Sequence, residues 1–222
     1  MITTRFAPST NGYLHMGHAY AARFAAERGQ RFLVRIEDTD RTRCKPEFER
    51  AALDDLAWLG LDWHSPVWRQ SDRFAIYGQA LEDLNARGLV YPCFCSRKQV
   101  LAEIEALHDA PHHGIDGLIY PGTCRKLSID EQQARLADGQ QHVWRLDMAK
   151  ALASIKGPLI WHDQEAGDVT ARPERAGDFV LARLGTPTSY HLAVSIDDAA
   201  QDISLVTRAE DLRDATDLHR LL

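Results

Sequence analysis

Apolar and polar positions along the chain switch between two periods. Residues 2–7 form a short apolar run of strand type, the stretch from Gly17 to about Arg28 is an alanine-rich helical segment that stops at Gly29, and Arg31–Ile36 is apolar again. This order of strand, turn, helix and strand predicts an α/β fold with a parallel sheet. Its ligand is expected beyond the carboxyl ends of the strands, where Arg5 to Ser9 and Glu37-Asp38-Thr39-Asp40 both emerge. Pro46 suits a first helical turn, and Phe48, Ala52, Leu56 and Leu59 follow at helical spacing until Gly60. Ser71 is expected to cap a second helix, with Phe74, Tyr77, Leu81 and Leu84 as its stripe before Gly88. Both stripes are assigned to the core, and Trp58, Trp63 and Trp68 near the connection to packing.

The pattern changes at Tyr91-Pro92-Cys93-Phe94-Cys95, and the region up to about Leu146 reads as an inserted subdomain. Ser96 with Gln99 and Ser128 with Glu131 are capping boxes, so helices are expected to start there. Residues 155–163 and 178–184 are strand-like, and residues 203–207 form another apolar run that opens onto Arg208. The chain stops at His219-Arg220-Leu221-Leu222, inside a helix by this reading. The expected organisation is residues 1–90 as the first half of a nucleotide-binding domain, 91–146 as the insertion, and 147–222 as the second half.

At 222 residues and 45% hydrophobic content the chain can bury a substantial core. The net charge of −6 removes any general attraction to nucleic acid, so an RNA partner has to be argued from a site. With no apolar run of membrane-spanning length and no basic leader, the expectation is a cytoplasmic protein that does not engage the membrane.

The candidate chemistry concentrates at Arg5-Phe6-Ala7-Pro8-Ser9 through His15-Met16-Gly17-His18. A strand that turns into a helix at glycine presents backbone N–H groups and the positive end of the helix dipole to an anion, with phosphate as the natural guest. His15 and His18 flank Gly17, so both imidazoles can lie over one turn of backbone that a nucleotide can approach. Glu37 follows a buried strand and can accept an ammonium group, and Arg5, Arg208 and the Tyr190 phenol can complete a ring around a small polar ligand. The cysteines are Cys44, Cys93, Cys95 and Cys124. Cys93, Cys95 and Cys124 suit tetrahedral zinc, with His112, His113 or Tyr120 as fourth ligand; spacing alone favours a histidine, and three buried thiols without metal are the alternative.

The segment 5–18, Arg35-Ile36-Glu37-Asp38-Thr39-Asp40 and the segment 190–208, in this order, resemble the catalytic domain of class I glutamyl-tRNA synthetases over nearly the whole chain. Cys-x-Cys followed by Tyr-x-x-x-Cys is most similar to the small group without an anticodon-binding domain, the glutamyl-queuosine tRNA(Asp) synthetases. The resemblance implies a Rossmann-like catalytic domain with a zinc-binding insertion. Implied with it are a monomeric enzyme, activation of L-glutamate by ATP with Mg²⁺, and transfer to queuosine at the wobble position of tRNA(Asp). It makes Tyr120 the fourth Zn²⁺ ligand, assigns the ATP phosphates to His15, Gly17 and His18, and assigns glutamate to Arg5, Phe6, Ala7, Pro8, Ser9, Glu37, Tyr190 and Arg208. The chain departs from the family at Thr10, usually proline, and at Asp202 and Ala209, commonly glycines. The family's lysine-bearing signature of the KMSKS type lies downstream of this point, so the second half is expected to be truncated before it. The alternatives are a truncated glutamyl-tRNA synthetase and a catalytically weak glutamate/ATP- or RNA-binding relative without that lysine. A small nucleotidyltransferase explains neither Arg-Ile-Glu-Asp nor the cysteines.

Overall fold

Every residue of the first strand, β1 (Thr3–Phe6), is buried, and the chain leaves it through a polar turn before helix α1 (Met16–Arg28). The computed structural model describes residues 1–106, 113–114 and 117–222, with side chains over 1–104 and 118–222. The chain returns as β2 (Arg31–Ile36), parallel to β1 with Phe6 opposite Val34. Helix α2 (Pro46–Trp58) then leads to β3 (His64–Arg69), which lies parallel to β2 on its other edge. The parallel arrangement expected from the alternating pattern is therefore present, in the order β1-β2-β3.

Two compact units make up the chain, the first Met1–Ile76 with Ala193–Arg213 and the second Tyr77–Leu192 with Asp214–Leu222. In the first, Phe6, Phe32, Val34 and Ile36 pack with Ala22 and Ala25 of α1 and Leu56 of α2. The alanines explain the weakly apolar look of α1: a small-residue face lets the helix backbone lie close to the sheet. Trp63 and Val67 pack against this cluster. Trp58 departs from the reading. It is 84% exposed, because it lies two residues beyond buried Leu56 and so on the opposite side of α2.

The run 203–207 forms no strand. The Thr3 carbonyl accepts hydrogen bonds from both Ser204 N and Leu205 N at 3.1 Å, and Thr3 N donates to Ser204 Oγ at 2.9 Å. This clasp involves one residue of β1 and does not continue into a ladder. Asp202, just before it, has φ +54°, the left-handed conformation that glycine adopts most easily, whereas Ala209 sits at φ −71° and needs no glycine. Ser71 is also not a helix cap. It lies in the 3₁₀ turn Gln70–Arg73, where its N and Oγ donate to Asp38 at 2.9 and 2.6 Å, and helix α3 (Phe74–Ala86) follows.

In the second unit, β4 (Val90–Cys93) precedes α4 (Arg97–Ala106), a two-residue pair β5 (His113–Gly114) and β6 (Gly117–Leu118), and α5 (Ile129–Ala137). Both capping boxes form: Gln99 N donates to Ser96 Oγ at 3.3 Å and Glu131 N to Ser128 Oγ at 3.2 Å. Then come β7 (Val143–Leu146), α6 (Met148–Ala153), β8 (Ile160–Asp163), β9 (Gly167–Thr170), β10 (Val180–Arg183), α7 (Tyr190–Ala200), whose residues from Ala193 on belong to the first unit, and α8 (Ala215–Leu221). The expected runs 155–163 and 178–184 shorten to β8 and β10, and neither belongs to the parallel sheet. β8 forms a hairpin with β9, and β10 is antiparallel to β7 in the order β10-β7-β4. Asp178 ties this unit together. Its carboxylate accepts from Tyr91 OH at 2.6 Å, Arg125 Nη1 at 2.9 Å and Met148 N at 3.0 Å, while its carbonyl accepts from Arg145 Nη1 at 2.8 Å. Among the described residues no helix is long and apolar enough to cross a membrane.

Candidate functional site

At the carboxyl end of the parallel sheet, Glu37 N donates to the Pro8 carbonyl at 3.0 Å, which joins the exits of β1 and β2. Arg5, the residues up to Ser9, and Glu37 are thereby brought to one edge, as the strand order predicts. Phe6 turns its ring into the core, so it can serve a ligand only through its backbone. The side chain of Arg5 is 6% exposed and is held by Asp198 through a fork, Nε to Oδ1 at 3.0 Å and Nη2 to Oδ2 at 3.1 Å, with Nη1 donating to the Thr207 carbonyl at 3.2 Å. Arg208, next in the chain, donates from Nη1 to the Leu212 carbonyl at 3.3 Å.

Behind Arg5 lies a buried charge network that the sequence reading did not assign. Arg35 is fully buried and contacts Asp198 Oδ1 at 2.8 Å, Gln201 Oε1 at 2.9 Å and, at longer range, Glu37 Oε1 at 3.6 Å and Asp197 Oδ2 at 3.8 Å. Asp197, also fully buried, accepts from Arg73 Nε at 2.8 Å and Gln70 Nε2 at 3.1 Å. Three guanidiniums and three carboxylates therefore balance in a desolvated region, the condition under which such charges are tolerated. A signal existed in the sequence, since a charged residue inside the apolar run Arg31–Ile36 has to find buried partners. Glu37 feels the burial most: desolvation pushes its carboxyl up to about 7, against the lowering effect of Arg35 and Arg5, with Asp198 and Asp197 adding to the rise.

His15 is the N-cap of α1. Its Nδ1 accepts from Gly17 N at 3.1 Å, His18 Nδ1 accepts from His15 N at 3.2 Å, and the ring centroids lie 3.9 Å apart. An imidazole that accepts at Nδ1 carries its proton on Nε2, so both rings have an N–H on the far edge available as a donor. Glycine at 17 lets this packing form without adjustment, because a Cβ there would lie 3.0 Å from His15 Cε1 and press on the ring. Burial and the neighbouring His15 lower the pKa of His18, which keeps that ring neutral. On the Cys44 side of the first unit a cavity of about 150 Å³ is lined by Thr10, Asp38, Arg41, Cys44, Lys45, Pro46 and Glu49.

Tyr190 falls in the second unit, where its ring meets His191 and His219 edge-on at 5.3 and 5.4 Å. The cysteines expected to bind metal also lie in that unit and do converge. The sulfurs of Cys93, Cys95 and Cys124 lie within 4.8 Å of one another. The Tyr120 hydroxyl lies 3.4 Å from Cys95 Sγ and accepts from Cys124 N at 2.8 Å. The chemistry of this donor set fits a soft divalent cation. The hydrogen bond with Cys93 comes first in lowering the Cys124 thiol, while the same pair and burial push the Cys93 thiol up. His112 lies outside the described residues, as does the side chain of His113.

The family model described as the catalytic domain of class I tRNA synthetases (E and Q) matches residues 1–222. A protein of Rhodobacter capsulatus named glutamyl-Q tRNA(Asp) synthetase is 46% identical, over 97% of this chain and 79% of that protein. One of the same name from Symbiobacterium thermophilum is 40% identical, over 100% of this chain and 70% of its own length. The crystal structure of a glutamate tRNA ligase from Elizabethkingia meningosepticum in complex with its amino acid superposes with a TM-score of 0.77 at 28% identity, over 99% of this chain and 46% of that one.

Proposed function

The chain belongs to the class I tRNA synthetases for glutamate and glutamine, and from that premise we propose that it activates L-glutamate with MgATP and transfers it to queuosine at the wobble position of tRNA(Asp). Two relatives of that name, each aligned over at least 97% of this chain, support the acceptor. The observation that carries the activation step is the meeting of Arg5 and Glu37 at one end of the sheet, where the Glu37 N–H is bonded to Pro8. A guanidinium and a carboxylate so disposed suit an amino acid, which carries one charge of each sign.

In this reading Arg5 and Arg208 take the substrate carboxylates, Glu37 takes the ammonium group, and the backbone from Phe6 to Ser9 lines the site. A carboxylate oxygen of glutamate attacks the α-phosphorus of ATP and pyrophosphate leaves, giving glutamyl adenylate; a hydroxyl of queuosine then displaces AMP. The chain holds the reactants in line and stabilises charge. His15 and His18 donate through Nε2–H to phosphate oxygens, and Gly17 allows their approach. Zn²⁺ held by Cys93, Cys95, Tyr120 and Cys124 would supply a structural crosslink. These four residues lie in residues 91–146, which we read as an insertion into the nucleotide-binding domain, and the protein as cytoplasmic and monomeric.

Glutamate-dependent ATP–pyrophosphate exchange in the absence of tRNA tests the proposal. Exchange with glutamate is the expected result. Exchange that requires tRNA(Glu) favours a glutamate–tRNA ligase, a reading supported by the fold shared with the Elizabethkingia enzyme. Glutamate and ATP binding without exchange identifies a binding protein.

A further inference from the structure

Arg5 is oriented from behind. Of its guanidinium nitrogens, Nε and Nη2 are engaged by the two oxygens of one carboxylate, Asp198, at 3.0 and 3.1 Å. Such a fork fixes the plane of the group as well as its position, which a single ionic contact does not. Asp198 is itself fixed, because its Oδ1 accepts from Arg35 Nη1 at 2.8 Å and Arg35 has no solvent-exposed surface. The same Arg35 reaches towards Glu37 Oε1 at 3.6 Å. Arg35 Nη2 and Nε have no hydrogen-bond acceptor among the described residues, and the nearest carboxylates, Glu37 and Asp197, lie at 3.6 and 3.8 Å. One chain of contacts, Arg5 to Asp198 to Arg35 to Glu37, thus links the group proposed for the substrate carboxylate to the group proposed for its ammonium.

From this we infer that Asp198, backed by Arg35, is a positioning residue for the amino-acid site: it touches no substrate and sets the guanidinium of Arg5 in the plane that receives a carboxylate. The inference rests on the proposed role of Arg5 and adds to it. Its consequence is selectivity of effect, because a loss at Asp198 reaches glutamate through Arg5 and leaves the histidine turn at Gly17 untouched.

The test is a double-mutant cycle read by isothermal titration with L-glutamate and, separately, with ATP. Asp198→Asn keeps the side-chain shape and one acceptor oxygen but loses the charged fork. Glutamate affinity is expected to fall about tenfold to a hundredfold, the range for a charged hydrogen bond, with ATP affinity within about twofold of wild type. In an Arg5→Lys background, which has no fork to orient, Asp198→Asn should then have little further effect on glutamate. Equal and additive losses in both backgrounds would overturn the inference, as would parallel losses of glutamate and ATP. Should Asp198→Asn destabilise the fold by stranding Arg35, the pair Arg35→Gln with Asp198→Asn restores charge balance. The pair should bind ATP normally and glutamate weakly; recovery of glutamate affinity would contradict the positioning role. If Arg5→Lys alone leaves glutamate affinity unchanged, the pocket assignment fails and the positioning role falls with it. A large effect of Arg5→Lys together with none of Asp198→Asn keeps the pocket and removes the positioning role.

Discussion

Replacing Glu37 by glutamine should stabilise the protein above neutral pH while abolishing its grip on glutamate. The Glu37 side chain is only 14% exposed and its pKa rises from 4.5 to about 7, first through burial. Between those two values the folded state holds a proton that the unfolded state has released, so stability falls as pH rises through 7 and is level above it. At about 1.4 kcal/mol per unit, the shift corresponds to roughly 3 kcal/mol spent on keeping the carboxylate ionised in the fold at pH 8. Glu37→Gln removes that burden, so the urea midpoint of the variant should exceed that of wild type at pH 8 and match it at pH 4.5. Binding has the opposite sign. An ammonium ligand needs the ionised form, about nine-tenths populated at pH 8 and about one-tenth at pH 6 for a pKa near 7, so the apparent Kd for glutamate should weaken by about an order of magnitude over that interval. Titration calorimetry at the two pH values and urea unfolding of both proteins supply the data. A glutamate Kd that is flat from pH 6 to 8, or a variant equally destabilised at pH 4.5 and 8, would refute the reasoning.

Other consequences follow from the same geometry. Arg73→Met strands the fully buried Asp197 and should cost about 3 kcal/mol in urea unfolding, with a value near zero contradicting the network as drawn. Gly17→Ala places a Cβ against the His15 ring and should weaken ATP severalfold while sparing glutamate; unchanged ATP affinity would separate the histidine turn from the nucleotide. Atomic absorption should find one zinc per chain, lost in Cys124→Ser, and chelation should lower Tm; a metal-free wild type with unaltered Tm under chelator would remove the site.

What could be read from the sequence was local or carried by repeated spacing. The alternation at residues 2–36 indicates a parallel pair joined by a helix because burial of both faces leaves apolar strands, and the serine caps at Ser96 and Ser128 form because their partners lie three residues away. The sulfurs of Cys93, Cys95 and Cys124 converge as their types and spacing suggest. Apolar composition misled at 203–207, where β-branched residues mimic a strand but the segment's backbone pairs with β1 at Thr3 alone and forms no ladder. Asp197 and Asp198 carry no local sign of burial, since an acidic side chain is ordinarily solvated. Asp198 is held by Arg5, 193 residues away along the chain, and Asp197 by Arg73, 124 residues away; the pattern at Arg35 shows that a buried charge needs a partner but does not name these acids. Trp58 was misplaced for the converse reason: residue type suggested packing, but its angular position on α2 put it in water.

The acceptor decides the central claim most directly. Labelled glutamate, ATP and this chain should be incubated with tRNA(Asp) carrying queuosine, with the same tRNA lacking queuosine, and with tRNA(Glu). The account predicts label on the first alone. Label on tRNA(Glu) in preference to queuosine-bearing tRNA(Asp) would contradict it.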